Sequence, residues 1–289
     1  LSGIYTLALI LHRVLLLAFT LFAGHYLSAQ WVWQPQFHTE NRLRDVRLTP
    51  DGRGIAIGEG NVLLCTTNGG ETWTGTGSAD PDLNAASLVG STFFFGNLQG
   101  GIFSLSNPGL CLSDLLAIAT PALSNLSDLH MLSASSGYAV ANGFLRYSNN
   151  AWSSSTAVTN LNCPTDAQSI WFVTEDVGFA VTNSGKIIRI RQDAGTFLCD
   201  QVAASASPLH NIHFVGAQYG YAVGASGTVL YSDDSGLSWQ NRSLPEEDDL
   251  TAVFATAAQT VHAAGNQLYR SADGGVSWER LPKPSPMTR

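Results

Sequence analysis

The chain has 289 residues, 45% of them apolar and only 12% charged, with 28 glycines and a formal charge of −8. That much apolar side chain excludes a disordered chain, and so few charges exclude long solvated helices. The acidic balance argues against nucleic acid as the partner, because no basic field steers a polyanion.

Residues 1–29 read as a signal peptide. His12-Arg13 precedes the apolar run Val14–Gly24, which is too short to span a bilayer, and Leu27-Ser-Ala29 offers a small-residue cleavage site. An uncleaved anchor pooling Ile4–Leu11 with Val14–Phe22 is the alternative. Export places the protein in the periplasm, outside the cell or at its surface, where disulfides persist. Of the four cysteines, none has CxxC spacing. Cys163 and Cys199 flank one repeat and are the expected pair, with buried free thiols as the alternative.

Residues 30–282 read as one domain and 283–289 as a flexible Pro-rich tail. Trp31 and Trp33 resemble the start of an outer strand that could join the last repeat and close a ring. Next come Arg42, Arg44, Arg47 and Arg53, four arginines within twelve residues. Such a cluster is a candidate docking patch for an acidic loop of a partner protein. A solvated edge beside Glu40, Asp45 and Asp51 is the competing reading.

The first clear turn motif follows, TTNGGETW at Thr66–Trp73. SDDSGLSW at Ser232–Trp239 and SADGGVSW at Ser271–Trp278 repeat it. Weaker copies are LSNPGL at Leu105–Leu110, SNNAW at Ser148–Trp152 and RQDAGTF at Arg191–Phe197. The turn acid or amide falls at Asn68, Asn107, Asn150, Asp193, Asp234 and Asp273, in steps of 39, 43, 43, 41 and 39 residues. This Asp-box has a structural logic. The Asp or Asn caps backbone N–H groups of its own turn, Gly70, Gly236 and Gly275 supply positive φ, and Trp73, Trp152, Trp239 and Trp278 pack the outer strand.

Ahead of each turn lie two short strands joined by a Gly/Asn/Ser turn, as in GYAVGASGTVLYS, and ahead of those an apolar entry strand. The units are strand, turn, strand, turn, strand, Asp-box, strand. Four strands per unit of about 40 residues is a propeller blade. The fold expected is all-β: a β-propeller of about six four-stranded Asp-box blades, with seven as the alternative.

The third residue of each entry motif is Arg47, His130, Trp171, His213 and Val253. Strand alternation puts these side chains on one face. A polar and aromatic ring at the channel would bind a partner; filling of blade interfaces is the competing reading.

Asp-box turns at this period resemble the bacterial neuraminidase repeat superfamily. The fuller pattern, an apolar strand and then AVGxxG leading to SxDGGxSW, looks most like the photosystem II assembly and stability factor propellers and their relatives in non-photosynthetic bacteria. The resemblance spans Trp31–Leu281 and implies an exported, non-catalytic chaperone that holds a membrane-protein intermediate. Sialidases share the turn, so glycan binding or glycoside hydrolysis is the alternative function. Their (F/Y)RIP arginine motif is missing, since Ile190-Arg191 is followed by Gln192, and no catalytic residue, metal site or cofactor is assigned. A monomer binding a protein partner is expected.

Overall fold

The computed structural model describes residues 42–282 apart from 78–81, 110, 112–114, 119–124, 142, 149–150, 155–162 and 194–195. The leader, Trp31, Trp33, Asn150 and the C-terminal tail therefore lie outside the described residues.

The described residues form six four-stranded antiparallel sheets. Blade one is β1 (Leu43–Leu48), β2 (Gly54–Gly58), β3 (Val62–Thr66) and β4 (Thr74–Gly77). Blade two is β5 (Leu83–Val89), β6 (Thr92–Asn97), β7 (Ile102–Leu105) and β8 (Leu115–Ile118). Blade three is β9 (Asp128–Ser133), β10 (Ser136–Ala141), β11 (Gly143–Ser148) and β12 (Ala151–Ser154). Blade four is β13 (Ala167–Phe172), β14 (Val177–Thr182), β15 (Lys186–Asp193) and β16 (Thr196–Ala204). Blade five is β17 (Leu209–Val215), β18 (Tyr219–Gly224), β19 (Val229–Ser232) and β20 (Gln240–Asn241). Blade six is β21 (Leu250–Ala255), β22 (Val261–Gly265), β23 (Leu268–Ser271) and β24 (Glu279–Leu281). In every blade the strands pair in sequence order, and successive inner strands pack together from β1 through β5, β9, β13 and β17 to β21.

The second strands explain the composition. GIAIG, SGYAVA and YGYAVG are buried along nearly their whole length, because both faces of a blade meet neighbouring blades. Such strands read as continuous apolar runs instead of alternating ones. The core is correspondingly a set of inter-blade clusters. Ile55, Cys65, Phe93 and Phe95 join blades one and two. Phe94, Leu129 and Met131 join two and three; Tyr138, Phe172 and Ile188 join three and four. Phe179, Ile212 and Phe214 join four and five; Tyr221, Tyr231 and Val253 join five and six. Tyr138 stacks on Phe172 at 3.5 Å and its hydroxyl donates to the Glu175 carbonyl. Tyr221 repeats the latch, donating to the Ala258 carbonyl at 2.7 Å.

Asp-box turns close the third hairpin of blades one, five and six. In blade six, Asp273 accepts the Ser277 N–H at 2.9 Å, and the Ser277 and Ser271 hydroxyls at 2.6 and 2.7 Å. Asp234 makes the same set with Ser238 and Ser232, and Asn68 uses Thr72 and Thr66. These bonds to the anionic form hold the Asp234 and Asp273 carboxyls down at about 2. Gly70, Gly236 and Gly275 all take positive φ. The Trp239 ring packs edge-on to Phe214 and Phe179, while Trp278 Nε1 donates to the Arg242 carbonyl at 2.9 Å. Blade two keeps a reduced turn, in which Asn107 accepts the Gly109 N–H.

Blades three and four depart from the motif. Asp193 is not a turn residue: β15 continues through it and pairs it with Thr196 in a tight hairpin, because RQDAGTF is too short for the full turn. Likewise Ser148 pairs directly with Ala151, and Trp152 sits opposite Tyr147 on β12.

Two disulfides are present. Cys163–Cys199 ties the segment entering blade four to that blade's outer strand, with Cα atoms 5.0 Å apart. Cys65–Cys111, which spacing does not suggest, links β3 of blade one to the β7–β8 connection of blade two across 5.9 Å. No cysteine remains free.

Candidate functional site

The inner strands build the site. Most of them start with a residue whose pairing is followed by a bulge, as at Leu43/Asp45, Leu209/Asn211 and Leu250/Ala252. Aligning the ladders then gives equivalent positions. One rim comprises Asp45, Ala85, Asp128, Ser169, Asn211 and Ala252, and the next comprises Arg47, Ser87, His130, Trp171, His213 and Phe254.

The first rim clamps each blade to the next. Asp45 accepts the Ala86 N–H at 3.0 Å, and Asp128 accepts the Ser169 hydroxyl at 2.7 Å and the Ile170 N–H at 2.8 Å. Ser169 Oγ then faces the Ile212 N–H, and Asn211 Oδ1 accepts the Val253 N–H at 3.2 Å. Ser87 of the second rim adds a bond from the Met131 N–H at 2.9 Å. Burial pushes the Asp45 carboxyl up to about 6, opposed by Arg47, and pushes Asp128 up as well. Both carboxylates serve backbone groups, a structural duty.

The second rim holds the chemistry. His130 and Trp171 have ring centroids 4.3 Å apart, Trp171 and His213 4.4 Å, and His213 and Phe254 4.9 Å. Four flat rings from four successive blades thus form a continuous arc. Phe254 is its open end, 57% exposed. Burial, helped by the positive field of Arg47, lowers both His130 and His213 to about 4, so the imidazoles are neutral at pH 7. His213 Nδ1 accepts the Ala255 N–H at 3.4 Å, which leaves the proton of the neutral ring on Nε2.

Arg47 is the cation of the rim. It pairs with Asp45 at 2.9 Å, and its Nε donates to the Ala86 carbonyl at 3.0 Å. The other sequence-singled arginines go elsewhere. Arg44 pairs with Glu59 at 2.7 Å, Arg53 pairs with Asp51 at 2.9 Å across a turn, and Arg42 is exposed at the entry to β1. Arg47 is thus separated from the rest of the expected patch: Arg44 sits at the bulge of β1, and Arg42 and Arg53 lie outside that strand.

Residue 253 is corrected. Val253 is buried against blade five, and Phe254 holds the rim position. The entry motifs align on their leading leucines, Leu209 and Leu250, and not on Phe214 and Phe254; a slip of one residue exchanges the faces of a strand. Ser87 was also not singled out, since a lone serine in an apolar run carries no signal. Among the described residues no cluster of three metal-ligating side chains occurs, and no helix is long and apolar enough to cross a membrane.

An aromatic arc beside a guanidinium suits a ligand with a flat or apolar part and an anionic part. Residues 200–286 match the family described as photosynthesis system II assembly factor YCF48. The chain is an Asp-box propeller similar to the photosystem II assembly factors. Among similar solved structures, YCF48 bound to D1 peptide superposes with a TM-score of 0.66 at 17% identity, covering 85% of this chain and 82% of the other. YCF48 from Cyanidioschyzon merolae gives 0.62 at 17% identity, covering 85% and 86%. The WD40 propeller domain of Doa1 gives 0.68 at 10% identity, covering 86% and 85%. At these identities the likeness shows the fold. A curated relative, the uncharacterized protein YkuO of Bacillus subtilis (strain 168), is 38% identical over 79 residues, which are 27% of this chain and 26% of that protein. The match thus spans about a quarter of that relative's length.

Proposed function

We propose that this propeller is an exported, non-catalytic assembly factor that holds a protein partner, an intermediate of a membrane-protein complex, at its second rim. The observation that carries the reading is the arc His130–Trp171–His213–Phe254 beside Arg47. Neutral imidazoles and an exposed Phe254 present flat surface for apolar side chains, and Arg47 supplies the charge that fixes a carboxylate. The match of residues 200–286 to the assembly-factor family supports a binding role, as does the D1 peptide held by the similar YCF48. Export is supported by the apolar run Val14–Gly24 with its small-residue site, and by two disulfides, which persist in oxidising compartments.

The experiment is crosslinking and capture from the envelope fraction with the wild type and with an Arg47→Ala, Phe254→Ala double variant. The wild type should recover one membrane protein that the double variant loses, with a cooperative thermal melt showing that the variant is still folded. Equal recovery by both would remove the rim from the binding reaction. Turnover of any glycan by the purified protein would overturn the non-catalytic assignment.

A further inference from the structure

In blades one, five and six the Asp-box residue bonds to hydroxyls two positions before it and four after it: Thr66 and Thr72, Ser232 and Ser238, Ser271 and Ser277. In blade two the same positions around Asn107 hold Leu105 and Cys111. Cys111 is bonded to Cys65, which immediately precedes Thr66 on β3 of blade one. A covalent bond to the neighbouring blade thus stands where the other turns carry a hydroxyl, and it fastens the β7–β8 connection across the seam of blades one and two. The two disulfides differ in setting. Cys199 lies on β16, is wholly buried, and packs with Cys163 in the cluster between blades three and four. Cys65 is equally enclosed, but Cys111 is partly exposed in a connection between strands. The Cys111 backbone has a φ of +41°, in the left-handed region that a residue with a Cβ enters when its surroundings impose it. Opening the bond relieves that constraint, and strained or exposed disulfides are the readily reduced ones.

We propose that Cys65–Cys111 is a site of reversible thiol–disulfide exchange with a dithiol protein, a lock on the seam of blades one and two that opens on reduction while Cys163–Cys199 stays closed. The proposal does not rest on the partner-binding reading. Exchange runs from the Cys111 side, because Cys65 is enclosed. A thiolate of the dithiol attacks Cys111 Sγ. The S–S bond breaks, and its electron pair leaves with Cys65 Sγ, which takes a proton from water. The second thiol of the dithiol then attacks its own sulfur in the mixed disulfide and releases Cys111. The dithiol ends oxidised by two electrons, and both cysteines end as thiols. Reduction leaves the outer turn of blade two with local bonds only. Asn107 accepts the Gly109 N–H, and the Cys111 N–H donates to the Pro108 carbonyl at 3.2 Å. β8 lies at the edge of its sheet with Leu115 and Leu116 exposed, so this strand is the part set loose. The inner side of the seam keeps the bonds of Asp45 and Arg47 to Ala86 and the packing of Phe93 and Phe95. Opening the lock therefore frees one hairpin without unfolding the domain.

The test titrates the full-length oxidised protein at pH 7 with dithiothreitol against its oxidised form, traps thiols with N-ethylmaleimide and maps them by peptide mass spectrometry. Cys65 and Cys111 should appear together, at a reductant-to-oxidant ratio about tenfold or more below the one that opens Cys163–Cys199. In that half-reduced protein the slow amides of β8 should exchange with deuterium about tenfold faster than in the oxidised protein. Those of Tyr221–Val223 in blade five should keep their rate, and reoxidation should restore β8. Reduced glutathione, a monothiol, should leave its adduct on Cys111. The proposal is overturned if Cys163–Cys199 opens first, or if both pairs open in one step with loss of the cooperative melt. It is equally overturned by β8 amides that exchange alike in both states, or by a glutathione adduct on Cys65. A Cys65→Ser, Cys111→Ser variant should exchange at β8 as the half-reduced protein does; where that variant does not fold, the titration of the unaltered chain decides. None of these readouts involves Arg47 or Phe254, so failure of the lock and failure of the rim as a binding site are separately visible.

Discussion

Asp128 sets the sharpest test of how the blades are joined. The residue keeps some surface, but its carboxyl is enclosed, and it accepts the Ser169 hydroxyl at 2.7 Å, the Ile170 N–H at 2.8 Å and its neighbour Leu129 N–H at 2.8 Å. Asp128→Ala leaves the Ile170 N–H and the Ser169 hydroxyl without their acceptor inside the junction of blades three and four. Each unsatisfied buried group costs about 1–3 kcal/mol, so the pair amounts to about 4 kcal/mol. At about 2–4 °C per kcal/mol for a domain of this size, Tm should fall by about 10 °C. Asp128→Asn with its oxygen at the Oδ2 position keeps both the Ile170 N–H and the Ser169 hydroxyl, and gives up only the Leu129 N–H, which faces the amide at the Oδ1 position. Asn211 shows that an amide can serve: its Oδ1 accepts the Val253 N–H, and its Nδ2 lies 3.4 Å from Ser169 Oγ. The Asn variant should therefore lose less than half as much. Differential scanning calorimetry at pH 7 measures both. Equal losses would mean that charge, not hydrogen bonding, makes the clamp, and an Ala variant within a degree of wild type would remove the clamp altogether.

Three further outcomes follow from other parts of the fold. His130 and His213 titrate near 4 in the folded chain and at 6.5 when unfolded, so the unfolded chain binds more protons between those values. Stability should be complete above pH 6.5 and fall toward pH 4, by about 3 kcal/mol per histidine; Asp45, raised to about 6, has the opposite sign and loses its contribution as pH rises through 6. Thermal melts of a His130→Asn, His213→Asn variant should show most of the acid-side decline gone. The disulfides close separations of 46 and 36 residues, worth about 4 kcal/mol each by loop entropy, so melting in reductant should drop Tm by well over 10 °C. Gly69 and Gly236 both have positive φ, but a Cβ at Gly69 meets open space while one at Gly236 lies 2.4 Å from the Phe179 ring. Gly69→Ala should therefore cost about 1 kcal/mol of backbone strain, and Gly236→Ala several times that in denaturant melts.

What was legible in the sequence depended on how local each device is. The Asp-box at Asp273 is written within seven residues, Ser271 to Ser277, because its bonds close inside one turn. The same local reading over-reached at Asp193, where spacing matched but the segment lacked the residues to form the turn. The rim was partly legible because alternation alone brings His130, Trp171 and His213 to one face. Phe254 was lost to a slip of one position, since two phenylalanines in similar motifs invite alignment where the ladders make Leu209 and Leu250 the equivalent residues. Cys65–Cys111 was not legible at all: its partners belong to neighbouring blades, and only the stacking of those blades brings them together.

The division between turn and rim also explains why the repeat says little about partners. Asp234 and Asp273 hold their turns through bonds satisfied within the turn, which is why their carboxyls stay ionised down to about 2. Any sequence that keeps those few residues keeps the hairpin, and the inner strands are then free to vary. They do vary: the second rim carries Arg47, Ser87, His130, Trp171, His213 and Phe254, six different environments on six copies of one scaffold. The first rim limits that freedom at four positions, where Asp45, Asp128, Ser169 and Asn211 each offer the next blade an acceptor, while in blade two Ala85 offers none and Ser87 of the second rim takes over the duty. Ala252 of blade six offers none, and blade six is the blade whose outer face carries His262 and Arg270 in place of tyrosines.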